Sequence, residues 1–299
     1  MPEFPEFKAI EIADREEIQN FFSGYRPETS ELNFTNIFIW REHYRIHWSI
    51  YRDWLLVACD AAGGRCFAMP PVGPGPRLEV TLKVLEWLRE KRGMAEPAIE
   101  RADSRLADEL APSGKFAIAP TRDHFDYLYL TGNLIKLSGN RYHAKKNHLN
   151  KFRKSYNFSY APVTPASVPD CMKVAELWCH ARRCHEDLDL TDERNAVKAI
   201  LENFEPLKVT GGMLLVEGRV EAFAIGEMLN PETAVIHIEK ANPEIPQAFV
   251  VINQQFCEHE WAKVPFINRE QDLGNEGLRQ AKLSYQPERM IQKFRIKLA

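Results

Sequence analysis

The chain has 299 residues, 44% apolar and 11% aromatic, and its 42 acids nearly cancel its 39 bases to leave a formal charge of −3. This is the composition of a folded protein with a sizeable core, and it excludes both disorder and a molecule-wide charge for nucleic acid. No apolar run approaches the roughly 20 residues that cross a bilayer. The early acids Glu3, Glu6 and Glu11 do not suit a secretory leader, so a cytoplasmic protein is expected.

Phe7–Ile12 reads as a strand and Asp14–Phe22 as a helix with acids in its first turn. Trp54–Cys59 and Cys66–Met69 read as a hairpin around Gly63-Gly64. Leu78–Lys91 carries Leu78, Leu82, Leu85 and Leu88, a helical stripe. The second half runs in similar order. Phe158–Val163 is a strand, Pro169–Cys184 a helix, and Thr191 is placed to cap a helix carrying Val197, Ile200, Leu201 and Phe204. Met213–Val216 and Val220–Glu227 form a hairpin around Gly218, and Ala234–Lys240 adds a strand. A long helix from about Gln247 to Trp261 precedes the strand Phe266–Glu270 and the helix Glu276–Leu283. A last strand, Met290–Leu298, sets Lys293, Arg295 and Lys297 against Phe294, Ile296 and Leu298.

Short words recur in the same order. Leu55-Leu56-Val57, Gly64-Arg65 and Phe67-Ala68 match Leu214-Leu215-Val216, Gly218-Arg219 and Phe223-Ala224. Pro97-Ala98-Ile99-Glu100-Arg101 matches Pro265-Phe266-Ile267-Asn268-Arg269, and Pro120, Arg122 and Tyr127 share the spacing of Pro287, Arg289 and Phe294. Collinear matches point to a duplication. The expected organisation is an N-terminal domain over 1–132, a basic connecting helix over 133–157 and a C-terminal domain over 158–299. Each domain is a mixed α/β sheet flanked by helices, an order similar to the N-acetyltransferase-like (GNAT) fold.

The stretch Gly139–Tyr156 has six bases and no acid. On a helical wheel Tyr142, Leu149, Phe152 and Tyr156 form an apolar stripe that includes Lys145. Lys146, Lys151, Arg153 and Lys154 lie on the other side. In a net acidic chain such a face suits either plain solvation or an anionic partner such as RNA phosphate or a lipid headgroup. Lys145, among apolar neighbours, needs a carboxylate or an exit to water.

Candidate chemistry centres on Asn268–Tyr285. Asn268 and Glu270 share one face of a strand and Arg269 the other. Gly274 and Gly277 permit a tight turn at its exit, where open α/β sheets place ligands. The preceding strand offers His237 and Glu239 on one face and Lys240 on the other, with Glu227 one strand further. Glu227, Glu239, Glu270 and Asp272 could thus meet Lys240, Arg269 and Lys282. Such a set suits either a salt-bridge network or a pocket in which acids hold an amine and bases face an oxyanion. No nucleophile motif, phosphate loop or dinucleotide fingerprint is present. The six cysteines read as small packed side chains, and no metal site is expected at Cys179–His185.

The words Gly139-Asn140-Arg141-Tyr142-His143-Ala144-Lys145-Lys146-Asn147, His237-Ile238-Glu239-Lys240-Ala241, Asn268-Arg269-Glu270-Gln271-Asp272-Leu273-Gly274 and Leu278–Tyr285 carry a resemblance. They resemble a bacterial family related to the C-terminal catalytic half of phosphatidylglycerol lysyltransferase. The resemblance implies a tandem GNAT-like fold akin to the aminoacyl-tRNA-dependent Fem transferases. It implies aminoacyl-tRNA as donor, with an amine, hydroxyl or lipid-headgroup acceptor, and no cofactor. Under it, Glu239, Glu270 and Asp272 would recognise the donor's ammonium, with Glu227, Asn268, His237 and Lys240 lining the site. Lys282 or Arg269 would face the oxyanion, and Lys146, Lys151, Arg153 and Lys154 would hold tRNA. An acyl-CoA N-acyltransferase is the first rival. Where that class has a glycine-rich pyrophosphate loop, this chain reads Asn242-Pro243-Glu244-Ile245-Pro246-Gln247. Proline removes donors and Glu244 repels phosphate. A non-catalytic module for an anionic ligand is the second rival.

Overall fold

The computed structural model describes every residue except 62 and 63, so Gly63 of the expected hairpin turn lies outside the described residues. The first half gives β1 (Lys8–Ala9), α1 (Arg15–Tyr25), α2 (Phe34–Ile39), β2 (Ile46–Tyr51), β3 (Trp54–Ala61), β4 (Arg65–Ala68), α3 (Leu78–Glu90), β5 (Ala98–Ala102), α4 (Ser104–Leu110) and β6 (Phe116–Pro120). Next come β7 (Asp126–Leu130), α5 (Thr131–Lys136) and α6 (His143–Ser155). The second half gives β8 (Phe158–Pro162), α7 (Val168–Arg182), α8 (Leu188–Glu202), α9 (Phe204–Leu207), β9 (Thr210–Val216), β10 (Arg219–Asn230) and β11 (Thr233–Ala241). It ends with α10 (Ala248–Glu260), β12 (Phe266–Asn268), α11 (Glu276–Leu283), β13 (Arg289–Ile291) and β14 (Phe294–Leu298).

These strands build two mixed seven-stranded sheets, β1-β2-β3-β4-β5-β14-β6 and β8-β9-β10-β11-β12-β7-β13. The orders coincide position by position, with one exchange: β7 completes the second sheet and β14 the first. In each sheet the fourth and fifth strands are parallel, and the exchanged strand is antiparallel to the fifth. The protein is therefore a tandem duplication. Its compact units are not continuous in sequence. One comprises Met1–Asp126, Gln271–Gly274 and Ile291–Ala299, the other Tyr127–Glu270 and Asn275–Met290. The last expected strand thus divides in two, and its larger part pairs with β5 and β6 instead of the second half. The stretch expected as a connector, 133–157, belongs to the second unit. Leu149 and Phe152 of α6 join the core of Phe256, Val251 and Ile267, each such side chain worth about 1.5–3 kcal/mol of burial.

In the first unit α3 buries Val80, Val84, Leu85 and Leu88 against Leu56, Ile99 and Ile296. An ionic knot sits beside β5. Lys293, completely buried, reaches Asp126 at 2.6 Å and Glu31 at 2.5 Å, and Asp126 also accepts from the Ser30 backbone N–H at 2.8 Å. Arg101 lies 3.6 Å from Glu31 and stacks over Tyr44. The expected alternation of Lys293 with Arg295 and Lys297 fails here, because the break between β13 and β14 turns Lys293 inward. In the second unit, α8 starts earlier than expected. Asp187, not Thr191, is its cap, its carboxylate accepting from the N–H groups of Asp189 and Leu190.

Candidate active site at the parting of β11 and β12

β11 runs to Ala241 but pairs with β12 only from Thr233 to Val235, against Phe266 to Asn268. Beyond that point the two parallel strands part, and His237, Glu239, Arg269 and Glu270 fall at the opening. A bulge places the first of these. Ile225 pairs with Ile238 and Gly226 with Ile236, so His237 is an extra residue in β11, as in a β-bulge that re-aims a side chain. Gly226 permits this approach, since a Cβ there would stand 2.3 Å from the Val235 carbonyl oxygen. Glycine inside a strand pattern is the signal that could have marked the bulge from sequence.

The His237 side chain is completely buried between two carboxylates, Nδ1 at 2.8 Å from Glu270 and Nε2 at 3.0 Å from Glu227. Burial disfavours its charged form, but the hydrogen bonds and charges of Glu227 and Glu270 outweigh that and lift its pKa to about 9. At neutral pH the ring is an imidazolium donating to both. The group Glu227–His237–Glu270 thus holds two negative charges and one positive. Glu270 has a left-handed backbone at φ 54°, and its N–H donates to the Asn268 side chain at 2.8 Å. Non-glycine residues in this region tend to be held there by function.

Glu239 and Arg269 form a second pair. Asn253 of α10 donates to Glu239 at 2.7 Å, and the Arg269 guanidinium donates to the other carboxylate oxygen. The guanidinium lies 4.6 Å from the centre of the Tyr285 ring and 5.7 Å from that of Tyr129. Lys145 finds neither a carboxylate nor a full exit to water: its Nζ sits 4.1 Å from the centre of the Tyr285 ring, and burial, then Arg269, lowers its pKa. Lys282 Nζ donates to the Arg269 carbonyl at 2.5 Å, while the Tyr129 hydroxyl donates to the Lys282 carbonyl at 2.8 Å. Tyr129 and Asn253 were not singled out in the sequence, and Tyr285 only closed the candidate segment.

Two residues expected in this set are placed elsewhere. Lys240 points to the opposite face of β11, pairs with Glu193 and lies 3.3 Å from the centre of the Trp178 ring. A shallow groove of about 250 Å3 on that side is lined by Trp178, Arg182, Pro243, Ile245, Pro246 and Phe249. Asp272 belongs to the first unit, where it is fully buried, accepts from Arg122 at 3.2 Å and from the Gly274 N–H at 2.9 Å. On α6, Lys151, Arg153 and Lys154 are exposed and Lys146 half-buried, while Tyr142, Leu149 and Phe152 are buried. Cys179 and Cys184 are joined, and Cys59, Cys66, Cys171 and Cys257 are buried thiols. No helix among the described residues is long and apolar enough to cross a membrane.

The model of the phosphatidylglycerol lysyltransferase C-terminal family matches residues 22–297. The chain belongs to that family. A conserved protein of unknown function from Bacteroides thetaiotaomicron is 34% identical, with 98% of this chain and 99% of that one covered and a TM-score of 0.90. L-PGS from Bacillus licheniformis is 13% identical over 99% of this chain and 93% of that one, with a TM-score of 0.63. FemX is 9% identical over 98% and 96%, with a TM-score of 0.59. The last two likenesses speak for the fold alone. No curated protein matches the sequence.

Proposed function

We propose that the protein is an aminoacyltransferase that moves an aminoacyl group from aminoacyl-tRNA to an amine or hydroxyl acceptor. The observation that carries this reading is α6, whose bases project from a helix anchored by Leu149 and Phe152 in a chain that is acidic overall. Membership of the lysyltransferase family supports it. In this reading the donor's ammonium lies against Glu270 and Glu227. The acceptor attacks the ester carbonyl, its proton passes to Glu270, and Lys282 faces the oxyanion. The new amide or ester bond forms as the bond to the ribose oxygen breaks, and that oxygen leaves as a hydroxyl. Asp272 and Glu239 drop out of ammonium recognition because Arg122 and Arg269 engage them. The prolines and Glu244 between β11 and α10 argue against acetyl-CoA as donor.

Binding to total tRNA across a salt series tests the reading. Affinity should fall at a log–log slope of roughly −0.7 to −0.9 per phosphate contact. Changing Lys146, Arg153 and Lys154 together to Glu should weaken binding by orders of magnitude while the protein remains folded. Label should also move from charged tRNA to amine or hydroxyl acceptors in the parent. A parent that neither binds tRNA nor transfers label defeats the proposal.

A further inference from the structure

We infer that Lys145 binds the last phosphodiester of the donor RNA, the linkage nearest the aminoacyl ester, and so ties the basic helix to the opening between β11 and β12. The inference rests on the aminoacyl-tRNA reading and assigns a residue to the end of that donor. Lys145 stands apart from the other bases of α6. It shares the inward face of the helix with Tyr142, Leu149 and Phe152, all buried, whereas Lys151, Arg153 and Lys154 are exposed. Its Nζ lies 4.1 Å from the centre of the Tyr285 ring, and the Arg269 guanidinium lies 4.6 Å from that same centre. Two cations thus share one ring. The carboxylate beside them, Glu239, is held by Arg269, whose Nε and Nη1 are buried without an acceptor. Burial and Arg269 both lower the Lys145 pKa, and no acid acts to raise it. An aromatic face compensates a half-desolvated ammonium only in part, so the place is short of one anion. A phosphodiester supplies one negative charge and two free oxygens, which suits a single ammonium. The source follows from the helix. An RNA held by the outer bases of α6 and ending at the strand opening has its last linkage within reach of the base that turns inward.

Two acceptor-stem RNA minihelices ending in CCA test this with the full chain, one natural and one whose last phosphodiester is a neutral methylphosphonate. The parent should bind the natural RNA about tenfold more tightly. Lys145→Met keeps the length of the side chain and its packing on Tyr285 but loses the charge. It should bind both RNAs alike, at the parent's affinity for the neutral one, with a salt slope shallower by roughly 0.7–0.9. Lys145→Gln, equally uncharged, serves should the methionine variant not fold. Lys145→Arg should restore the preference, which a residue that only packs would not do. Equal affinity of the parent for the two RNAs overturns this contact and leaves the donor reading standing. Glycerol phosphate bound through Lys145 would in that case assign the phosphate to the acceptor. A preference that survives in a folded, uncharged Lys145 variant overturns the contact as well. A parent that binds neither RNA removes the donor reading with it.

Discussion

The ends of β5 and β12 occupy equivalent places in the two sheets, and each carries an arginine from the repeated Pro-x-Ile-x-Arg word. Arg101 stacks on Tyr44 beside Glu31, and Arg269 stacks on Tyr285 while bound to Glu239. From there the halves diverge. In the first, Lys293 and Asp126 have no exposed side-chain surface and Glu31 only 3%, and the cations Lys293 and Arg101 balance the two acids. In the second, Glu227 and Glu270 keep 10% and 15% of their side chains exposed and share a single imidazolium. One copy of the duplicated strand end has become a sealed brace. The other keeps two carboxylates partly exposed around a buried histidine, and that asymmetry marks the candidate site.

The largest expected effect tests the brace. Lys293→Met removes the cation that buried Asp126 and Glu31 share and should cost about 3–5 kcal/mol of stability, read by urea denaturation. A loss below about 1 kcal/mol would mean that the first knot is no more structural than the second. The next effect is a pH dependence. His237 has its folded pKa raised from 6.5 to about 9, so its contribution is complete below about pH 6.5 and disappears as pH rises through 9. It amounts to about 3 kcal/mol at most. Melting temperature should decline over that window, and Glu227→Gln should flatten the decline. An unchanged slope would detach His237 from Glu227.

Gly226→Ala probes the bulge. Its Cβ against the Val235 carbonyl should cost about 1–3 kcal/mol and shift the His237 ring resonances, whereas a neutral substitution would show that the bulge relaxes freely. The smallest effect is a matched pair. Arg101→Lys and Arg269→Lys keep the charge but lose the stacked plane, each at about 1 kcal/mol. Only Arg269→Lys should also slow transfer of label from charged tRNA. Equal transfer by both variants would erase the contrast between the halves.

Much of this was legible in sequence, unevenly. The Pro97–Arg101 and Pro265–Arg269 words fall on equivalent strands, because proline and a buried arginine have few other uses there. The word Leu55–Val57 falls on β3 and its partner Leu214–Val216 on β9, one place out of step in the sheet order. Apolar hairpin words are interchangeable among strands and carry little register. The bounds of α11 were readable to the residue, and the structure adds Asn275 as its cap. α2 and β2 were not, since Phe34–Ile39 is buried on every side and has no amphipathic period to read. The polar cluster was legible as a set of residue types, but its pairing was not. Which acid meets which base depends on the bulge at His237 and on the exchange of β7 and β14, and neither is a local property.

That exchange has a consequence for how the chain comes into being. On a ribosome the first sheet can form its strands up to Pro120, yet the place between β5 and β6 stays vacant until Phe294–Leu298 has been made. Asp126 waits as long for Lys293. The nascent first half therefore carries an open seam, between the free edge of β5 and a β6 still without its neighbour, through the whole synthesis of the second, the kind of exposed edge that invites chaperones or misplaced partners. Of the two sheets, the one whose strands are made first is the one that closes last.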